Sequence, residues 1–133
     1  MIFYKFKCLY KMSTYTKVLL SGSNYGLPIK VAATATTGTT IHATDTSSTV
    51  IDEVWLYANN TDSTDILLTI EFGGTTAPDN TIVVNIAARS GLFLVIPGFI
   101  ITGTGAASKT ITAFAGTANK VLITGYVNRI SWV

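Results

Sequence analysis

His42 is the only histidine in the chain and Cys8 the only cysteine, so nucleophilic or metal chemistry would have to be built on them. A Ser–His–Asp arrangement would use His42 with Asp45 or Asp52 as its orienter. His42 falls inside a Thr-rich strand pattern, however, and no sharp nucleophile turn carries it. It reads as a surface or interface histidine, half exposed, whose replacement by alanine leaves the fold nearly intact. Zinc needs three or four His, Cys or acidic ligands, which Cys8 and His42 do not supply. Asp62, Asp65 and Asp79, with Asn59, Asn60 and Asn80, would converge on calcium only if their two turns lay at one end of the fold. The EF-hand spacing is absent, and acids and amides of this kind ordinarily cap turns. Asp52 and Glu53 are adjacent, so on a strand they point to opposite faces and make a poor acid–base pair. Gly103-Thr104-Gly105 is short and has no helix after it, unlike a dinucleotide loop. Asn59-Asn60-Thr61 matches a glycosylation sequon, a pattern short enough to arise by chance. The expectation is a protein that is not an enzyme, with no metal, no cofactor and no small-molecule substrate.

The aromatic residues Trp55, Tyr57, Tyr126 and Trp132 offer a different chemistry. Exposed, they would stack sugar rings. Buried, they would fill core or subunit contacts, where aromatics carry much of the energy. No acid or amide pattern is tied to them, so the second reading is preferred.

The elements that must position these residues are strands. Val50 to Ala58 is β-branched and aromatic, with Val54, Leu56 and Ala58 on one face and Trp55 and Tyr57 on the other. Asn59 to Asp65 has the small polar chemistry of a turn. Ile66 to Phe72 alternates, placing Ile66, Leu68, Ile70 and Phe72 on one side and Thr69 and Glu71 on the other. Further strands are expected over Tyr15–Leu20, Ile29–Thr34, Thr39–Thr44, Thr81–Ile86, Leu92–Ile96, Lys109–Ala115 and Lys120–Ile130. Pro97-Gly98 stops the strand that begins at Leu92, and Phe99 to Thr102 resumes it briefly. With turn signals every ten residues or so and no helical pattern, the fold class is all-β. The expected architecture is a two-sheet antiparallel sandwich, jelly-roll or Greek-key like, over residues 13–133. Val54–Ala58 and Leu92–Ile96 are apolar on both faces. Such strands have both faces covered, one by the facing sheet and the other by a neighbouring subunit.

At 133 residues the chain makes one domain with a real core. Only 12% of it is charged, against about 25% usually, so much of its surface is not suited to water alone. Charge is also unevenly placed. Lys5, Lys7, Lys11 and Lys17 precede every acid, while the remainder is slightly acidic and has no basic stripe, which disfavours nucleic acid. A lone cysteine permits no intramolecular disulfide. The longest apolar run, from Leu92 to Ile101, is too short for a transmembrane helix and is broken by Pro97-Gly98, so no membrane is expected. Lys5, Lys7 and Lys11 also interrupt any signal-peptide core.

Residues 1–12 read as a separate N-terminal basic and aromatic arm. If extended, the arm sets Tyr4, Phe6, Cys8 and Tyr10 on one side and Lys5, Lys7 and Lys11 on the other, with Phe3 and Leu9. Too short to bury its own rings, it is expected to pack on a neighbour. The expected interface therefore comprises Phe3, Tyr4, Lys5, Phe6, Lys7, Tyr10 and Lys11 of the arm with Trp55, Tyr57, Phe93 and Val95 of the doubly apolar strands.

Three segments, LLSGSNYGLPIKVAATATTGTTIHAT, DEVWLYANNTDSTDILLTIEFGGTTAPDNTIVVNI and SGLFLVIPG, with the closing GYVNRI, resemble small virion-associated proteins of tailed bacteriophages. The resemblance runs from about Thr16 to Ile130 and leaves out Met1 to Lys11. It is a likeness of pattern and carries over no catalytic residue. What it implies is a capsid decoration, or cement, protein: β-rich, a homo-oligomer with a trimer favoured, and bound to the major capsid protein. Its place would be the virion's capsid surface, and the host cytoplasm during assembly. The competing expectation is a phage fibre, tail or adhesion module that binds host-surface glycans.

Overall fold

The computed structural model describes residues 12–132. Of the expected arm only Met12 falls among them; Phe3, Tyr4, Lys5, Phe6, Lys7, Tyr10 and Lys11 lie outside the described residues. The described residues form nine strands and no helix: β1 (Ser13–Leu19), β2 (Ile29–Lys30), β3 (Thr39–Ala43), β4 (Ile51–Asn60), β5 (Ile66–Phe72), β6 (Thr81–Ile86), β7 (Phe93–Thr102), β8 (Thr110–Ala115) and β9 (Val121–Trp132).

They form two antiparallel sheets, ordered β1-β9-β4-β7 and β3-β8-β5-β6, with the short β2 pairing to β9. The order has a simple origin. β5 and β6 are a hairpin, and β4 pairs with β7, β3 with β8 and β1 with β9 around it. A chain folded back on itself at the β5–β6 turn and then rolled up gives this nesting, which is the wrapping of a jelly roll.

Alternation decides what lies between the sheets. Along β4 the even-numbered residues Asp52, Val54, Leu56, Ala58 and Asn60 are buried and the odd-numbered ones half-buried. Leu68 and Ile70 of β5, Ile111 and Ala113 of β8, Ile96 of β7 and Val121, Ile123 and Val127 of β9 close the core with them. Each large aliphatic side chain removed from water there contributes about 1.5–3 kcal/mol.

Three features depart from the sequence expectations. β7 does not stop at Pro97-Gly98 but runs from Phe93 through to Thr102. It is an edge strand, so Pro97 costs no ladder hydrogen bond to an outer neighbour. Two bulges absorb the irregularity, since Val54 and Trp55 pair with Phe99 and Pro97, and Leu56 and Tyr57 with Ile96 and Leu94, leaving Gly98 and Val95 as the extra residues. Gly98 has φ +80° and lies under Trp55, where a Cβ would stand 2.9 Å from the indole Cζ2. Second, the expected strand over Ile29–Thr34 is a regular strand only at Ile29–Lys30, with Val31 adding a single bond to the Val121 carbonyl before the segment leaves β9. Third, β4 extends through Asn59 and Asn60, the first two residues of the stretch whose small polar chemistry reads as a turn. Asn60 is buried there, donating to the carbonyls of Thr64 (2.9 Å) and Ile86 (3.0 Å) and accepting from the Asp62 amide (2.9 Å).

Candidate functional site

β3, β4 and β9 bring His42, Asp52 and Arg129 together inside the sandwich. His42 is fully buried, which corrects the expectation of a half-exposed histidine. The cause is a bulge. Thr40 pairs with Thr112 and His42 with Ile111, so Ile41 is an extra residue and two successive side chains, Ile41 and His42, both turn inward. His42 Nε2 lies 2.8 Å from Asp52 Oδ2, and its Nδ1 accepts the Ser21 backbone N–H at 3.1 Å. Those bonds assign the neutral tautomer with its proton on Nε2, donated to Asp52. Arg129 clamps the same carboxylate in a bidentate fork, Nε to Oδ1 at 2.7 Å and Nη2 to Oδ2 at 2.9 Å. Burial alone would raise the Asp52 pKa. Hydrogen bonds from Arg129 and His42, with the guanidinium charge, more than offset it and hold the carboxyl below its ordinary value. Arg129 is correspondingly raised, first by its hydrogen bonds to Asp52.

Of the two orienters considered, the structure selects Asp52. The arrangement nevertheless lacks the wiring of a nucleophilic triad. The imidazole nitrogen remote from Asp52 meets a backbone amide and not a hydroxyl, and the Ser21 Oγ instead accepts the Ala43 N–H at 2.7 Å. Both lone-pair and proton of the imidazole are occupied by the fold, so the cluster acts as a clasp between β3, β4 and β9.

Glu71 is set by alternation on the face of β5 opposite Ile66, Leu68 and Ile70. It lies on the outer face of its sheet and is buried there all the same, because the segment before β3 crosses over it. Thr36 Oγ1 donates to Oε2 at 2.5 Å, and the Gly38 N–H and Thr112 Oγ1 donate to Oε1, each at 2.7 Å. Burial pushes this carboxyl up, and the three hydrogen bonds bring it below its ordinary value. Gly38 can approach because it has no Cβ; one built there would stand 2.4 Å from the Ala113 carbonyl oxygen. Beside this contact an open cleft of about 370 Å³ is lined by Thr37, Thr40, Thr75, Ser108, Lys109 and Thr110.

The acids considered for calcium do not converge. Asp62 and Asp65 sit in the β4–β5 turn, where Asp65 caps the Ala88 amide at 2.9 Å, while Asp79 stands in the β5–β6 turn at the other end of β5. Among the described residues no three His, Cys, Asp or Glu side chains group to hold a metal ion. Every buried side-chain nitrogen and oxygen among them has a hydrogen-bond partner.

The aromatic residues gather on the outer face of the β1-β9-β4-β7 sheet. Register places Leu19, Tyr126, Trp55 and Pro97 in one cross-strand row and Lys17, Asn128, Glu53 and Ile100 in the next. Tyr15, Ile130 and Ile51 continue the face one way, Thr124, Tyr57 and Leu94 the other. Trp55 and Tyr126 stack with ring centres 6.3 Å apart, and the Trp55 indole N–H donates to Glu53 Oε1 at 2.6 Å. Lys17 Nζ sits 4.5 Å above the Tyr126 ring centre. Trp55 and Tyr57 are half-buried on this face. Phe93 stands exposed at the start of edge strand β7, and Val95, the bulge residue, packs against the core. The residues missed by sequence reasoning are Lys17 and Glu53, whose shared row depends on the pairing of β1 and β4 to opposite edges of β9.

The fold thus defines an all-β, two-sheet antiparallel sandwich with a carpet of apolar and aromatic side chains on one outer face. Neither a scan against protein-family models nor a search of curated proteins finds a match.

Proposed function

We propose that this chain is a non-enzymatic viral structural protein that binds and stabilises the outer surface of a tailed-phage capsid, acting as a homo-oligomer. The observation that carries the reading is the amount of apolar surface left open on a sparsely charged chain. Leu94 and Ile100 lie exposed on the outer face of one sheet, Leu67 and Val83 on that of the other, and Leu92 and Phe93 at the β7 edge. That is more than one contact needs, and it suits a subunit that meets both its own copies and a larger shell. The buried titratable groups support the same reading, since His42, Asp52 and Glu71 are spent on holding strands together. A protein that binds the assembled shell and not its separated subunits stabilises the shell by mass action. Bridging several capsid subunits adds avidity. Jelly-roll sandwiches serve in viral capsid proteins and in lectins alike, so the fold by itself leaves the choice to the surface.

The test is to add the purified full chain to shells assembled from the major capsid protein. It should sediment with the shells, stay apart from unassembled capsid subunits, and raise the temperature at which shells rupture. A chain left in the supernatant at tens of micromolar would defeat the reading.

One observation favours a second reading, a fibre, tail or adhesion module binding host-surface glycans. The Trp55–Tyr126 stack, with Glu53 and Asn128 beside it, has the ring platform and polar rim that sugars need. Host-surface oligosaccharides should then change Trp fluorescence, and Trp55→Ala should abolish the change.

A further inference from the structure

The outer face of the β1-β9-β4-β7 sheet carries one acid, Glu53, and it stands in the same cross-strand row as Lys17. Lys30, the other base, lies on β2 toward the other end of β9, paired to Leu122, whereas Lys17 is paired to Asn128. Lys17 and Glu53 are separated by β9, and among the described residues they form no ion pair. Lys17 rests on the Tyr126 ring and Glu53 accepts from Trp55 and Asn128. Around them the face is apolar, with Tyr15 72% and Ile100 65% exposed.

We propose that this face is covered by another copy of the same chain, with Lys17 of each copy set opposite Glu53 of the next. The shared row is what makes the pairing repeat. A rotation about an axis parallel to the strands preserves height along them, so it carries Lys17 of one copy to the level of the neighbouring copy's Glu53. A copy shifted along the strands would lose the match. The β1–β9 half of the face, with its base, thereby meets the β4–β7 half, with its acid.

Size agrees. Four strands at about 4.8 Å spacing and a length of about 33 Å for ten residues span roughly 600 Å² in projection. Side-chain relief enlarges that toward the about 800 Å² per partner of a stable interface. Edge pairing is the other route by which a sheet recruits a copy, and β7 is ill suited to it. Pro97 lacks an N–H, and the bulges at Val95 and Gly98 break the regular edge. Nucleic acid would want a basic stripe without Glu53. The inference concerns association in solution and stands apart from the capsid reading, since its test contains no shell.

The experiment is sedimentation equilibrium of the full chain at about 20 µM, with circular dichroism confirming the fold of each variant. The wild type should be oligomeric. Lys17→Glu and Glu53→Lys should each weaken association about tenfold or more, because each sets like charges against one another on an apolar face. The double variant should recover most of the loss. Glu53→Lys also removes an acceptor from Trp55 and Asn128, so Ile100→Asp supplies an independent probe. Ile100 is 65% exposed and stands across from Glu53, so a carboxylate there adds a like charge beside that acid but removes no hydrogen bond of the single chain, and the substitution should likewise yield monomer. A monomeric wild type would overturn the proposal. So would an oligomer that survives both Lys17→Glu and Ile100→Asp, including one that is lost only on deleting residues 1–11.

Discussion

Asp52 joins His42 and Arg129 inside the sandwich, and Asp52→Ala tests the clasp directly. The carboxylate is completely buried and receives His42 at one oxygen and Arg129 at both. Deleting it leaves a fully buried imidazole N–H without an acceptor and Arg129, whose side chain is 26% exposed, without its counter-charge. Removing one member of a buried pair costs about 3–5 kcal/mol, most of it the penalty on the group left behind. Partial access of Arg129 to water favours the lower half of that range. A chain of this size would then lose roughly 10–15 °C in Tm. Removing both charges should hurt less than the separate losses imply. Asp52→Ala/Arg129→Ala is therefore expected to retain at least about 1 kcal/mol more stability than the sum of the two single losses. Urea unfolding followed by Trp fluorescence measures all three variants. The acid limb of the stability curve adds a second reading. Asp52 and Glu71 both titrate below their ordinary values of 3.8 and 4.5. Their stabilisation is thus present above those values and is lost as pH falls through the lower folded ones. Asp52→Ala should flatten the decline below about pH 4. A loss under about 1 kcal/mol, or strict additivity with Arg129→Ala, would show that the cluster is not the clasp described.

Four further outcomes are expected. His42→Ala, which removes the acceptor of the Ser21 amide and one of the two donors to Asp52 Oδ2 and empties a fully buried site, should cost more than about 2 kcal/mol by urea unfolding, contrary to the sequence expectation of a near-neutral change. Glu71→Gln sets an amide nitrogen against hydroxyl and backbone donors; it should lower stability by about 1–3 kcal/mol and speed hydrogen exchange at Gly38. Gly98→Ala has to adopt φ +80° and displace the Trp55 ring, so it should cost at least about 1–2 kcal/mol and shift Trp emission. Deleting residues 1–11 should leave the sandwich folded by circular dichroism but weaken attachment to shells, and added salt should weaken it far less, since rings and not lysines supply most of the expected contact.

Much of the fold was legible because strands write themselves as alternation. Ile66–Phe72 and Thr81–Ile86 match the observed β5 and β6, and the split of β4 into a core-facing and an outward-facing set follows from period two alone. The stretch from Leu92 to Thr102 was not legible as one strand, because Pro97-Gly98 halts a strand unless it lies at an edge, and edge position is a property of the assembled sheet. Strand order was out of reach for the same reason. His42 was misplaced since a bulge at Ile41 reverses the face without leaving a mark in composition. Alternation set Glu71 on the face opposite Ile66, Leu68 and Ile70, yet only the crossing of Thr36–Gly38 over it made that outer position an interior one. Sequence by itself determined a sparsely charged, two-sheet β-sandwich with Trp55 and Tyr57 on the face of their strand opposite Val54, Leu56 and Ala58, since these depend on residue type and local period. Tertiary structure alone decided which polar groups meet, as His42, Asp52 and Arg129 do across three strands, and which share a row without touching, as Lys17 and Glu53 do on either side of β9. Those meetings rest on register between segments far apart in the chain, which no local pattern encodes.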